Sequence, residues 1–219
     1  MGNFYIQTVN ATTWKSQLAH PEKQWKQGYS AYELAHHWER ANGFPPAVLT
    51  VLKQQFEKIE LLYGFPEYEV ALPGGRTNSQ NDLYILAKSE EHLIPIMIEG
   101  KVNEPFGETV EKWLGPSPSE GKKIRLAYLV NLLHLTNDIS HIRYQLLHRT
   151  ASAIIEANKV NAKHAIVIIH SFSPTNKPYK DFEAFVELFH LKATQNQLLG
   201  PIQIDGTQLF FSWIADQCI

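Results

Sequence analysis

Apolar positions recur with helical spacing in two segments near the start of the chain. The first opens at Ser30-Ala-Tyr-Glu33, which has the form of a capping box, and stops at Asn42-Gly43. The second begins at Pro45-Pro46 and keeps its helical spacing as far as Ile59, ahead of the turn-like Tyr63-Gly64-Phe65-Pro66. This pattern predicts two helices before the first strand.

Shorter runs rich in β-branched and aromatic residues come next. Three of them, Tyr68–Leu72, Asp82–Ala87 and Ile94–Val102, are separated by the turn-rich PGGRTNSQN at 73–81 and by a polar loop at 88–93. Runs of this length bounded by turn residues predict a three-stranded antiparallel meander.

The second half of the chain mixes helical and strand patterns after an irregular stretch at 103–121. Two helices are expected at Lys123–Leu135 and Ile142–Asn158, followed by a strand buried on both faces at Lys163–His170. A third helix is expected at Asp181–Leu191, and then a closing hairpin formed by Pro201–Asp205 and Gln208–Ile214. The order α-α-β-β-β-α-α-β-α-β-β predicts an α/β (α+β) fold with one mixed sheet flanked by helices. No linker divides the chain, so one domain over residues 1–219 is expected.

The composition favours a globular protein of a reducing compartment. Of the 219 residues, 44% are hydrophobic and 19% are charged. The one cysteine, Cys218, excludes an internal disulfide framework and a cysteine-based zinc site. Because neither a leader nor a long apolar span is visible, we expect a cytoplasmic protein without membrane contact.

The charge is distributed unevenly although the net charge is only −2. Residues 121–163 hold seven lysines and arginines against two acidic residues, a local net charge of +5. A solvated helical face explains such a bias most simply, and a surface that faces phosphate groups is the alternative.

The second and third predicted strands bring chemically active residues together. If 82–87 and 94–99 form a hairpin around the polar loop, Asp82 lies directly opposite Glu99, and paired residues of antiparallel strands point to the same face. Lys101, two residues further on, joins that face, and Gly100 has no side chain to obstruct a ligand. Two carboxylates and one ammonium group are therefore predicted to converge.

This grouping suits metal-dependent hydrolysis of a phosphodiester. Two adjacent carboxylates repel each other unless a cation lies between them, and Mg²⁺ prefers a sparse oxygen site of this kind. A nearby lysine can act on the attacking water. The competing interpretation is an ordinary Glu-x-Lys ion pair on a strand, which is common and contributes little to stability.

One motif resembles the signature of the PD-(D/E)XK nucleases: Asp82, sixteen intervening residues and then Glu99-Gly100-Lys101. That superfamily includes restriction endonucleases and RecB-type exonucleases. The predicted order α-β-β-β-α-β over residues 46–170 is similar to the core of that superfamily. Asn81 departs from the nominal proline. The segments GYSAYELAHHWE, GFP and RYQLLHR resemble an uncharacterised bacterial branch of these nucleases.

The resemblance implies a restriction-endonuclease-like core at about 46–170. Helices at 1–45 and a helix and hairpin at 171–219 would be additions to it. It also implies that Asp82 and Glu99 hold Mg²⁺ or Mn²⁺ with the Gly100 carbonyl, while Lys101 acts on the water. Catalytic roles are therefore expected for Asp82, Glu99 and Lys101.

The resemblance also implies supporting residues. Family members often add an acid from an early helix, for which Glu33 is the candidate, with Glu57 and Glu60 as rivals. RecB-like members carry a Gln followed four residues later by Tyr, which Gln145 matches only in part because Arg149 takes the second position. Arg143, Gln145 and Arg149 are therefore candidates for binding phosphates, and a solvated helix end is the competing interpretation.

Together these observations predict a divalent-metal-dependent nuclease that acts on nucleic acid, with DNA as the expected substrate. The alternative is a non-catalytic module of the same fold that serves in binding or assembly. No separate recognition domain is visible, so a homodimer or a partner protein would supply specificity. Trp113, beside the loop GPSPSEG, is a candidate base-stacking or lid residue.

Overall fold

The computed structural model describes residues 8–218 and contains eight α-helices and six β-strands within that range. In chain order they are α1 Ala11–Trp14, α2 Pro21–Gln24, α3 Ser30–Ala41, α4 Pro46–Leu52, β1 Ile59–Val70, β2 Ser79–Ser89, β3 His92–Lys101, α5 Val110–Leu114, α6 Glu120–Leu132, α7 Tyr144–Lys159, β4 His164–Ser171, α8 Tyr179–Glu187, β5 Leu199–Ile204 and β6 Thr207–Ala215. The expectation about a leader rests partly on residues 1–7, which lie outside the described residues. Within that range, no helix combines the length and the apolar character needed to cross a bilayer.

The six strands form one mixed sheet in the order β1-β2-β3-β4-β6-β5. The meander β1-β2-β3 is antiparallel, β4 lies parallel to β3 and to β6, and β5 pairs antiparallel with β6. Helices cover both faces, which confirms the predicted α/β (α+β) class. The closing hairpin does not stand apart from the core, because β6 extends the sheet directly beside β4.

Two apolar layers, one on each face of the sheet, hold the helices in place. On one face, which we call the α7 face, residues of α7 and α8 pack on Met97 and Val167. On the other, the α3 face, α3 and α4 pack on Ile96, Ile98 and Ile168. Since β4 contributes to both layers, it is buried on both faces as its continuous apolar sequence predicted.

The predicted helix α3 is present, but the proposed capping box is wrong. The N-cap residue is Tyr29, whose side chain makes no capping hydrogen bond. The Glu33 carboxylate instead accepts a hydrogen bond from the Gly28 N–H at 2.8 Å, and the Ser30 N–H donates to Glu104 at 2.9 Å. Tertiary partners have therefore replaced the local reciprocal cap. The helix ends as expected, with Asn42 in the left-handed conformation at φ 46°.

The second predicted helix is too long, because α4 ends at Leu52 and β1 already begins at Ile59. Phe56 lies between them and packs edge-to-face on His164 and Phe210. The segment Tyr63–Pro66, expected to end the helix, lies within β1 and pairs with β2. The helical spacing of 53–59 therefore did not indicate a helix. Residues 59–70 pair with β2, and this pairing satisfies their backbone hydrogen bonds.

The loop after β1 is held against α6 by two glycines. Gly74 has φ +79°, and a Cβ added to it would lie 2.2 Å from the Gly121 carbonyl oxygen and 2.7 Å from the Arg125 nitrogen. Arg125, itself buried, donates to the carbonyls of Leu72, Pro73 and Thr77. The 73–78 loop is thus fixed by backbone contact and by one arginine that serves structure.

Gly74→Ala is expected to destabilise the protein by about 1–3 kcal/mol, because both its φ and its surroundings exclude a methyl group. Urea unfolding measures the loss. Gly206→Ala is the control, since nothing lies within 4 Å of a Cβ at Gly206. Equal stability of the two variants would show that the loop can leave α6 at no cost.

Candidate active site at the ends of strands β2 and β3

The register of the β2–β3 hairpin is the predicted one. Leu83 pairs with Ile98 and Tyr84 with Met97, so Asp82 and Glu99 follow as the next opposite positions. The turn is tighter than expected, because Ser89 already pairs with His92. The hairpin therefore places both carboxylates on the α7 face at one end of the strands.

Glu99 lies at the centre of the site and is almost fully buried. Its Oε1 accepts hydrogen bonds from Lys101 Nζ at 2.5 Å and from Gln145 Nε2 at 2.7 Å. Its Oε2 accepts one from Arg149 Nε at 2.6 Å. The Glu99 side chain is only 3% exposed. The buried carboxylate is thus compensated by two cations and an amide, as burial of a charge requires.

Asp82 occupies the more open side of the same site, with a side chain that is 24% exposed. Its Oδ2 accepts a hydrogen bond from the Gly100 N–H at 2.9 Å, and its Oδ1 lies 3.4 Å from Arg149 Nη2. The N–H and C=O of one residue in a strand point to the same neighbouring strand. The Gly100 carbonyl therefore points to the β2 side of β3 as well, while the Lys101 carbonyl accepts a hydrogen bond from the Phe172 N–H on the β4 side.

Helix α7 delivers Gln145 and Arg149 to the site from one face, because residues four apart are neighbours on a helix. Their positions agree with the partial Gln-x-x-x-Arg match seen in the sequence. Arg149 spans the two carboxylates, with Nε on Glu99 and Nη2 on Asp82. Of the basic stretch 121–163, Arg149 is thus the residue that reaches the carboxylates.

The two carboxylates have opposite electrostatic situations. Burial by itself raises the pKa of Glu99, but Arg149 and Lys101 outweigh it and lower that pKa to about 2. Burial and the negative charge of Glu99 raise the pKa of Asp82 to about 7, against the opposing effects of Arg149 and Lys101. Glu99 therefore stays ionised, whereas the cations near Asp82 do not offset its burial and its repulsion by Glu99.

A third carboxylate, Glu67, belongs to this site and was missed by the sequence analysis. Pro66 pairs with Leu83 and Tyr68 with Asn81, so Glu67 falls opposite Asp82. Its Oε2 accepts a hydrogen bond from Gln80 at 2.5 Å. Burial and the nearby Asp82 raise the pKa of Glu67 to about 8. The pairing of β1, hidden by the wrong helix boundary, was the signal that would have found it.

The backbone at Glu67 is irregular, with a φ of 51° that non-glycine residues rarely adopt in a strand. Phe65 and Tyr68 both pack on the α7 face although they are three residues apart, so the in–out alternation of β1 is interrupted between them. Irregularities of this kind re-aim side chains and are frequent beside functional sites. This one directs Glu67 toward Asp82.

Other predicted site residues lie elsewhere. Glu33 belongs to α3, which covers the opposite face of the sheet from Glu99 and Lys101. Arg143 pairs with Asp181 at 3.0 Å and donates to the Gly107 carbonyl, so its guanidinium is held outside the carboxylate cluster. The rival acids Glu57 and Glu60 are both exposed on the surface.

Trp113 does not present two open faces for bases. Its ring stacks on Tyr144, with centroids 3.9 Å apart and planes 8° from parallel, and the Lys122 ammonium lies 5.3 Å from its centroid. Tyr144 precedes Gln145 directly. The stack therefore braces the start of α7 next to the site, and a stacking or lid role for Trp113 stays a prediction.

The donor set at this site fits Mg²⁺ or Mn²⁺. Hard divalent cations take carboxylate and carbonyl oxygens, which Asp82, Glu99, Glu67 and Gly100 offer. Within residues 8–218, no three His, Cys, Asp or Glu side chains converge closely enough to hold a metal ion. Mg²⁺ usually takes one or two carboxylates and keeps several waters, so an ion on Asp82 would need one further carboxylate besides the backbone carbonyl and water.

Glu67→Gln is expected to stabilise the protein increasingly as the pH rises. The native pKa of Glu67, about 8, exceeds its ordinary value of 4.5, so the native state holds an extra proton between these values and loses stability as the pH rises through them. The variant lacks this loss and should gain about 1–3 kcal/mol on the wild type between pH 5 and pH 9. Urea unfolding at several pH values measures the difference.

The control for this prediction is Glu69→Gln, the same chemical change at an exposed position of the same strand. Its stability difference from the wild type should stay nearly constant with pH. Parallel pH profiles for Glu67→Gln and Glu69→Gln would mean that neither burial nor the nearby Asp82 raises the pKa of Glu67 in the folded state.

The chain belongs to the family described as a domain of unknown function, DUF6946, whose family model matches residues 7–218. No curated protein and no solved structure matches the chain. The family description names no activity, so the function has to be argued from the residues of the site.

Proposed function

We propose that this protein is a divalent-metal-dependent nuclease that hydrolyses phosphodiester bonds, with DNA as its substrate. The single observation that carries the proposal is the convergence of Asp82, Glu99, Lys101 and the Gly100 backbone at one end of β2 and β3. This is the arrangement that the resemblance to the PD-(D/E)XK nucleases implied, and the irregular strand β1 adds a third acid to it.

The residues of the chain would divide the chemistry among them. Asp82, the Gly100 carbonyl and one further carboxylate would hold Mg²⁺ or Mn²⁺. When bound, such an ion lowers the pKa of a water and neutralises charge on the phosphate. Lys101, held by Glu99 with its ammonium at 2.5 Å, would orient that water and donate to the phosphoryl oxygens. Gln145 and Arg149 would contact the scissile phosphate.

A second candidate function, that of a non-catalytic binding or assembly module, is favoured by one specific observation. Lys101, Gln145 and Arg149 together occupy both oxygens of Glu99. A carboxylate neutralised in this way forms a stable buried network without any metal ion. In that case the cluster would fix the packing of α7 against the sheet.

A cleavage assay separates the two functions. Purified protein with Mg²⁺ or Mn²⁺ is incubated with linear, circular and single-stranded DNA, beside a chelator control and the Lys101→Ala variant. The nuclease proposal expects metal-dependent cleavage that Lys101→Ala lowers by about 10²–10⁴-fold. The absence of cleavage on all three substrates, or equal cleavage by the variant, would instead favour the binding module.

A further inference from the structure

Glu99 is poorly placed to share a metal ion with Asp82 in this protein. A carboxylate offers about four lone-pair positions, and three donors already hold Glu99, two of them cations. Its side chain is 3% exposed, so a hydrated ion approaching from solvent does not reach it without displacing Arg149 or Lys101. Those displacements would leave buried charges without partners.

Glu67 accepts fewer hydrogen bonds from side chains than Glu99 does, and it is less deeply buried. Among the described residues, Gln80 is the side chain that hydrogen bonds to Glu67, and it engages Oε2. Glu67 and Asp82 face each other on neighbouring strands, on the more open side of the cluster. Among the residues that the structure describes, Arg149 is the cation that pairs with Asp82, at the long distance of 3.4 Å. A cation between Asp82 and Glu67 would meet two under-compensated carboxylates.

From this geometry we infer that Glu67, and not Glu99, is the second carboxylate that holds the divalent cation with Asp82. Glu99 then serves as a positioning residue, which anchors Lys101, Gln145 and Arg149 toward the substrate. That a divalent ion binds at this site is part of the proposed function, and the inference rests on it. The backbone irregularity at Glu67 is the device that brings this side chain opposite Asp82.

Two features of the structure support this division. The first is burial, because Glu67 is partly exposed whereas the Glu99 side chain is only 3% exposed. In addition, Arg149 lies between Glu99 and Asp82 and occupies the position where an ion shared by those two carboxylates would have to bind.

Calorimetric titration of the full chain with Mn²⁺ tests the inference without relying on activity. Glu67→Gln should weaken Mn²⁺ binding by about tenfold or more, because it removes one of two carboxylate ligands. Glu69→Gln, an exposed glutamate on the same strand, should bind like the wild type. Circular dichroism confirms that each variant is folded, which is expected for an isosteric change that relieves repulsion.

The outcomes separate this inference from the proposed function. Mn²⁺ affinity of Glu67→Gln within about twofold of the wild type would overturn the inference, as would a wild type that binds no Mn²⁺. If Glu67→Gln keeps its Mn²⁺ affinity and the wild type cleaves DNA, the nuclease proposal survives without the inference. If Mn²⁺ binding depends on Glu67 but no substrate is cut, the metal site stands and the nuclease proposal fails.

Discussion

The Lys101→Ala protein is expected to bind Mn²⁺ at least as tightly as the wild type while its cleavage falls by about 10²–10⁴-fold. Lys101 carries a positive charge beside the carboxylates, so its removal makes the cluster more attractive to a cation. The same change removes the group that orients the attacking water. Calorimetry with Mn²⁺ and a cleavage time course on one protein preparation measure both effects.

Asp82→Asn provides the complementary result. Asp82 lies opposite both Glu67 and Glu99, so it is common to every arrangement of the metal ligands, and this variant should lose Mn²⁺ binding and cleavage together. A Lys101→Ala protein that cuts at the wild-type rate beside an inactive Asp82→Asn protein would remove Lys101 from the mechanism. Wild-type cleavage that does not depend on any divalent ion would contradict the roles of both residues.

Arg149→Met is expected to destabilise the fold by about 3–5 kcal/mol, the cost of leaving a buried carboxylate without its main partner. Arg149 is itself buried, holds Glu99 at 2.6 Å and also reaches Asp82. The methionine keeps much of the side-chain volume and helix propensity, so the lost charge dominates the effect. Equilibrium unfolding in urea measures the change in the free energy of unfolding.

Arg143→Met is the matched control, because it makes the same substitution at the start of the same helix. The Arg143–Asp181 pair is partly exposed, with both side chains at 27%, and such pairs contribute about 1 kcal/mol or less. Similar losses for the two variants would show that the Arg149–Glu99 pair contributes no more to the free energy of unfolding than a partly exposed ion pair does. A large loss of stability for Arg149→Met alone would show that the candidate site also stabilises the fold.

Some elements of this protein could be predicted from local sequence because the pattern and the final environment agree. The apolar run at β4 is buried on both faces, and the turn signals around Asp82–Ala87 and Ile94–Val102 gave the correct hairpin register. From that register follow the opposition of Asp82 and Glu99 and the common face of Lys101. Period-two alternation makes such a prediction possible without a structure.

Other features depended on contacts between distant parts of the chain. Glu33 satisfied a local capping pattern, yet Gly28 and Glu104 took over the hydrogen bonds at the start of α3. The helical spacing of the second predicted helix continues as far as Ile59, but α4 ends at Leu52 and Ile59 already pairs with β2. In both places the local preferences are worth about 1 kcal/mol, which tertiary hydrogen bonding and burial readily exceed.

The sequence by itself determined the hairpin that carries Asp82, Glu99 and Lys101, because strand periodicity and turn residues act over short distances along the chain. Only the tertiary structure decided which cations compensate these carboxylates and which acid faces Asp82. Arg149 arrives from a helix 50 residues away from Glu99. Glu67 arrives through an irregularity in β1 that no local pattern reveals. Charges in a buried site are compensated by whatever the packing brings near them, and that depends on the whole fold.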